Sequence, residues 1–157
     1  MRIRYYCKFI GIIVSLIVVN VGSCFAEVAK TVYIYNDIGS SRDSIRHSLY
    51  TLTQIISSDY NIQTIDSAEI KRKEWVKDAA LLAMPGGADI AYMEKLNGQG
   101  NNIIKEYVKN GGSYLGICAG AYYASGEVEF DKDGPLEVLG KRELAFFPGK
   151  TIGPTIA

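Results

Sequence analysis

Gly111-Gly112-Ser113-Tyr114-Leu115-Gly116-Ile117-Cys118-Ala119-Gly120 reads as a helix stop, a short strand and the start of a new helix. A glycine just past a helix end accepts the left-handed conformation that closes it. Ser113 to Ile117 then forms the strand. In Gly116-Ile117-Cys118-Ala119-Gly120, a side chain flanked by glycines at a strand-to-helix turn is pushed out towards solvent. The turn also sets it over backbone N–H groups at a helix N-terminus, where a thiolate is stabilised. α/β proteins build a nucleophile elbow this way, with Cys118 here where hydrolases use serine. The competing reading is a small buried side chain in an apolar run.

Upstream, Thr31-Val32-Tyr33-Ile34-Tyr35 reads as a buried strand ending in the turn Asn36-Asp37-Ile38-Gly39. Ser40 or Ser41 caps the following helix, on which Ile45, Leu49, Leu52 and Ile56 recur at helical spacing. Asn61 to Ile65 is a short alternating strand, and Ser67 opens a charged helical turn. Ala79 to Met84 is a continuous apolar run, as for a central parallel strand covered on both faces. It stops at Pro85-Gly86-Gly87. A short helix from Ile90 to Leu96 leads into the polar loop Asn97-Gly98-Gln99-Gly100-Asn101, and a further helix buries Ile103, Ile104, Tyr107 and Val108. This alternation predicts an α/β fold with a doubly wound parallel sheet. Sites in such sheets form outside the carboxyl ends of the strands, so Asn36-Asp37, Pro85-Gly86-Gly87 and Cys118 are expected to converge. The tail differs: Glu127 to Phe130, Leu136 to Leu139 and Glu143 to Phe147 read as short strands.

The 157 residues, 48% of them apolar, suffice for one domain with a core. Residues 1–26 stand apart from it. Arg2, Arg4 and Lys8 precede an uncharged run from Phe9 to Val21, then Gly22-Ser23-Cys24-Phe25-Ala26. That pattern describes a secretory signal peptide, and the run falls short of the roughly 18–20 residues of a spanning helix. Cleavage after Ala26 leaves a soluble, exported product, residues 27–157, in a bacterial periplasm; alternatively Cys24, in a lipoprotein-like box, becomes a lipidated first residue. Removing residues 1–26 takes three of 17 basic residues and none of 17 acidic ones, leaving 14 against 17 and a net charge of −3. A nucleic-acid partner is not expected from that balance, nor a membrane span after cleavage. Cys7 and Cys24 leave too, so Cys118 becomes a free thiol. His47 is the one histidine of the sequence.

Cys118 is the candidate nucleophile. The N–H groups of Gly87 and Ala119 are the candidate oxyanion donors, because the glycine pair lets a substrate approach the backbone closely. Pro-Gly-Gly after a strand is otherwise simply a turn. Asp89 either caps the short helix or orients a substrate amine or a water beside Cys118. Asp37 is a weaker candidate of the same kind. Tyr122 and Tyr123, one turn into the elbow helix, wall the pocket. Neither a metal nor a cofactor is called for by these residues.

Three stretches carry a resemblance: Met84-Pro85-Gly86-Gly87-Ala88-Asp89, Leu96-Asn97-Gly98-Gln99-Gly100-Asn101, and Gly111 to Ala124. With Val128-Glu129-Phe130 and Arg142 to Gly149, the chain resembles the glutamine-amidotransferase-like domain at the N-terminus of eukaryotic biotin–protein ligases, and its free-standing bacterial forms. The likeness runs from about Val32 to Gly153. It implies a flavodoxin-like, class I glutamine-amidotransferase-like fold, incomplete here at the C-terminus. It also places Cys118 at the nucleophile position and Gly87 with Ala119 at the oxyanion position. In working members of that superfamily a histidine–acid pair downstream activates the cysteine, and no histidine follows Cys118 in this sequence. His47 is expected mid-helix, towards solvent or packed on the sheet. Ligase activity is not implied, because the sequence lacks a glycine–arginine-rich biotin-adenylate loop. Two functions follow as expectations: a non-catalytic module binding a small molecule or peptide, with Cys118 as a reactive thiol, or a cysteine-dependent amide hydrolase or amidotransferase-like enzyme of the cell envelope.

Overall fold

The computed structural model describes residues 30–154. The expected signal peptide, residues 1–26, lies outside them. The chain runs β1 (Lys30–Tyr35), α1 (Arg42–Ile55), β2 (Tyr60–Ile65), α2 (Ser67–Arg72), a 3₁₀ turn (Glu74–Lys77), β3 (Ala79–Met84), α3 (Asp89–Leu96) and α4 (Gln99–Lys109). β4 (Ser113–Gly116), α5 (Ala119–Tyr123), β5 (Ser125–Phe130), β6 (Val138–Lys141) and β7 (Phe147–Gly153) follow. β1 to β4 form one sheet in the order β2-β1-β3-β4, with every pairing parallel.

Alternation along the strands decides which helix covers which face. Val32 and Ile34 of β1 and Ala83 of β3 meet Ile45 and Leu52 of α1 on one face. Tyr35, Leu82 and Met84 point the other way, into a larger core with Ile70 of α2, Tyr92 and Leu96 of α3, Ile104 of α4 and Tyr123 of α5. Helices on both faces make this the expected doubly wound α/β sheet. Ser41 is the N-cap of α1, accepting from the Ser44 N–H. Asp66 and Glu69 close a reciprocal capping box on α2, which holds that short helix at its start. Gly111 takes φ 96° past the end of α4.

Two expectations fail here. The stretch Asn97 to Asn101 is not a loop, since α4 begins at Gln99. At Gly100 the helix passes close to Leu96, whose Cδ2 would lie 2.9 Å from an added Cβ. Asn101 is fully buried; its Nδ2 donates to Asn97 (3.0 Å) and Glu143 (2.9 Å), and its Oδ1 accepts from the Tyr123 hydroxyl (2.7 Å). Asn101, which looks like loop sequence, is therefore an interior residue held by exposed Asn97 and Glu143 and buried Tyr123. The tail strands are also displaced: β6 starts at Val138 and β7 at Phe147. Glu143 to Phe146 is a strap rather than a strand, with Leu144 in the main core and Phe146 edge-on to Tyr114 at 5.2 Å. β5, β6 and β7 make a separate sheet in the order β6-β5-β7, β6 antiparallel and β7 parallel to β5.

Candidate functional site

The Pro85–Ala88 segment is strapped to the chain on both sides. Ser41 N–H donates to Gly86 O (2.8 Å) and Ala88 N–H to Gly39 O (2.9 Å). Gly86 N–H donates to Ser44 Oγ on α1 (2.7 Å). On the other flank, Ile117 N–H donates to Met84 O (2.9 Å) and Gly120 N–H to Pro85 O (3.1 Å). Beneath, the Tyr92 hydroxyl donates to Pro85 O (3.1 Å); burial pushes that hydroxyl above its ordinary value, which keeps it a donor. A Cβ on Gly87 would overlap the Gly39 carbonyl oxygen, so the strap can lie this close to the β1–α1 turn only through glycine.

Cys118 occupies the turn between β4 and α5 at φ 50°, ψ −113°. A non-glycine residue at positive φ is uncommon and persists only where its surroundings hold it. Here the glycines do that: a Cβ on Gly116 would crowd the Gly120 carbonyl, and one on Gly120 would overlap Met84 O. The thiol is exposed. A Cβ built on Gly86 would meet the Cys118 Cβ at 3.3 Å, so elbow and strap are in contact. Among the described residues nothing accepts a hydrogen bond from the N–H of Gly87 or of Ala119. Of their neighbours, Gly86, Ala88 and Gly120 are paired, whereas the Cys118 N–H likewise has no partner among the described residues. Two backbone donors without a partner thus lie on the two segments that meet at the exposed thiol.

The residues singled out in the sequence come together, with two exceptions, Tyr123 and Asp37. Gly87, Asp89, Cys118, Ala119 and Tyr122 all line one cavity of about 320 Å³, closed by side chains of β5, β6 and the turn between them. Tyr122 packs edge-on to Phe130 at 5.4 Å. Tyr123 is not in the wall; it is fully buried in the core. Asp37 lines neither this cavity nor its neighbour. It lies on the β2 side of the sheet, accepting from Ser67 N–H (3.1 Å), Ser67 Oγ (2.6 Å) and Ile38 N–H (2.6 Å). Burial raises its carboxyl, but those hydrogen bonds outweigh it and leave the group below the usual carboxylate range. Asp37 secures the start of α2.

Asp89 is not a cap, because its side chain makes no capping hydrogen bond to α3. Its Oδ2 instead accepts from Arg142 Nε at 2.7 Å, with both side chains more than nine-tenths buried. Arg142 Nη1 donates to the carbonyls of Gly140 (3.0 Å) and Lys141 (3.1 Å), and its Nη2 is buried without a partner. Sequence reasoning missed Arg142. Its neighbours Lys141 and Glu143 are charged too, and nothing local pairs it with a residue 53 positions away.

A second, more open cavity of about 550 Å³ shares Gly87 and Cys118 with the first and runs along α1 past Ser44, Ser48, Leu115 and Ile117. His47, expected towards solvent or on the sheet, is exposed and lines it. Among the described residues no three His, Cys, Asp or Glu side chains cluster to hold a metal, and no helix is long and apolar enough to cross a membrane.

This is a class I glutamine-amidotransferase-like α/β fold. A putative peptidase E from Listeria monocytogenes superposes with a TM-score of 0.52 over 62% of this chain and 50% of that one, at 20% identity. The family model of the biotin–protein ligase N-terminal domain matches residues 30–157, and the chain belongs to that family. It is 39% identical over 125 residues to the biotin–protein ligase of Schizosaccharomyces pombe, covering 79% of this chain and 20% of the ligase. It is 35% identical over 127 residues to an uncharacterized protein of Chlamydia muridarum, covering 80% of this chain and 49% of that protein. The chain therefore spans about half or less of the length of these curated relatives.

Proposed function

We propose that the chain is an exported ligand-binding module whose cavity seats the carbonyl of a small molecule or peptide against the N–H groups of Gly87 and Ala119. Cys118 is the reactive thiol in its wall. The observation that carries this reading is the pair of unpartnered N–H groups beside an exposed cysteine, on a cavity assembled from α3, α5, β5 and β6. Binding is preferred to turnover because, among the described residues, no side chain hydrogen-bonds the Cys118 thiol as a general base would, and general acid–base help is typically worth ~10²–10⁴ in rate. Ligase activity does not follow, since the match covers a fifth of the ligase. Export rests on the basic, then apolar, then small-residue order of residues 1–26.

A second reading, a cysteine-dependent amide hydrolase of the cell envelope, is favoured by the same N–H pair and by His47 on the adjoining cavity. The experiment uses N-benzylacetamide as a thermal-shift probe and N-acetyl p-nitroanilide as a substrate. A shift that survives Cys118→Ala, with no Cys118-dependent release of nitroaniline, is the expected result. Repeated turnover lost in Cys118→Ala establishes the hydrolase instead. Absence of both a shift and turnover rejects both readings.

A further inference from the structure

The cavity beside Cys118 has a chemistry that selects among carbonyl ligands. Its walls away from the thiol are Ile90, Tyr122, Val128, Phe130, Leu136 and Val138. The single charged residue on the wall is Asp89, and its carboxylate is held by Arg142 at 2.7 Å. That pair cancels its own charge, leaving the cavity no free ion to offer. A charged group entering would lose its hydration with nothing to replace it. An apolar group gains on entry in proportion to the surface it removes from water.

Size agrees with this. An apolar cavity of about 150 Å³ is enough for a benzene ring, and this one is about 320 Å³. Ile90 and Leu136 are 41% and 68% exposed, so the entrance as well as the interior is apolar.

We infer that this cavity is a subsite for an uncharged aromatic or branched aliphatic group attached close to the ligand's amide carbonyl. A free amino acid, charged at both ends, is a poor occupant. The neighbouring open cavity, which shares Gly87 and Cys118, receives the other side of the same amide. The inference rests on the proposal that the carbonyl sits at Gly87 and Ala119.

The test compares the rates at which Cys118 is alkylated by three chloroacetamides bearing an N-benzyl, an N-hydroxyethyl or an N-carboxymethyl group. Each rate is divided by that of the same reagent with N-acetylcysteine. The benzyl reagent is expected to lead the other two by about tenfold or more, the scale of burying one ring. Val138→Asp is expected to bring the three rates together, while Cys118 still reacts. Equal normalised rates in the unaltered protein overturn the subsite but leave the carbonyl site standing. If no reagent reacts with Cys118 above the N-acetylcysteine reference, the carbonyl-site proposal fails. The subsite is then read in Cys118→Ala by thermal shift with N-benzylacetamide, where no shift beyond that of N-hydroxyethylacetamide overturns it too.

Discussion

Cys118 is forced into its position by residues that have no side chain. Gly116 and Gly120 clear the space, and the two hydrogen bonds from Ile117 and Gly120 to Met84 and Pro85 fix the turn against β3. Substituting Gly120 by alanine drives a methyl group into the Met84 carbonyl, and a loss of at least ~2–3 kcal/mol is expected, read as a lower urea midpoint. Arg142 behaves differently. Arg142→Met leaves the Asp89 carboxylate buried without its cation, so it is expected to cost ~3–5 kcal/mol. Adding Asp89→Leu is expected to recover much of that loss, and a double-mutant cycle by urea unfolding measures the recovery. At this scale Cys118, Gly87, Ala119 and Tyr122 were legible in the sequence, because strand ends and glycine pairs are local signals. Asp89 was not. Its role depends on Arg142, which only the packing of the strap against α3 brings near.

Elements were legible where apolar periodicity is strong and obscure where polarity serves the interior. β1, β3, α1 and the end of α4 follow from Val32, Ile34, Leu82, Met84, Ile45, Leu52 and Gly111. The first turn of α4 was misread, since Asn101 looks like loop sequence until Tyr123 and Glu143 are placed around it. The third strand of the small sheet was misplaced for a related reason. Leu144 and Phe146 are apolar because they return to the main core, not because they alternate on a sheet face. The β1–β2 side makes a pH prediction. Asp37 has a carboxyl pKa lowered in the folded protein by the Ser67 and Ile38 hydrogen bonds. Its contribution is therefore full above the unfolded value of ~4 and is lost as pH falls through the lower, folded value. Asp37→Ala is expected to cost about 1–2 kcal/mol at pH 7, with the gap from the unaltered protein closing in acid. Urea midpoints taken from pH 7 down to pH 3 check this.

On the scale of the molecule, a parallel sheet carries a small second sheet, and the site lies where the two meet. The sequence announced the first body through its strand–helix alternation. It could not announce the cavity, because Val128, Phe130 and Val138 reach Cys118 only once β5 and β6 fold back beside α5. Residues 1–26 carry a separate prediction: a product recovered from the periplasm is expected to begin at Glu27, or at a lipidated Cys24, as read by intact mass. The central claim concerns two backbone groups, and amide-resolved NMR observes them directly. Titrating the ¹⁵N-labelled chain with N-benzylacetamide is expected to move the N–H signals of Gly87 and Ala119 most, in the unaltered protein and in Cys118→Ala alike. Saturable shifts elsewhere that leave those two signals in place would contradict the account.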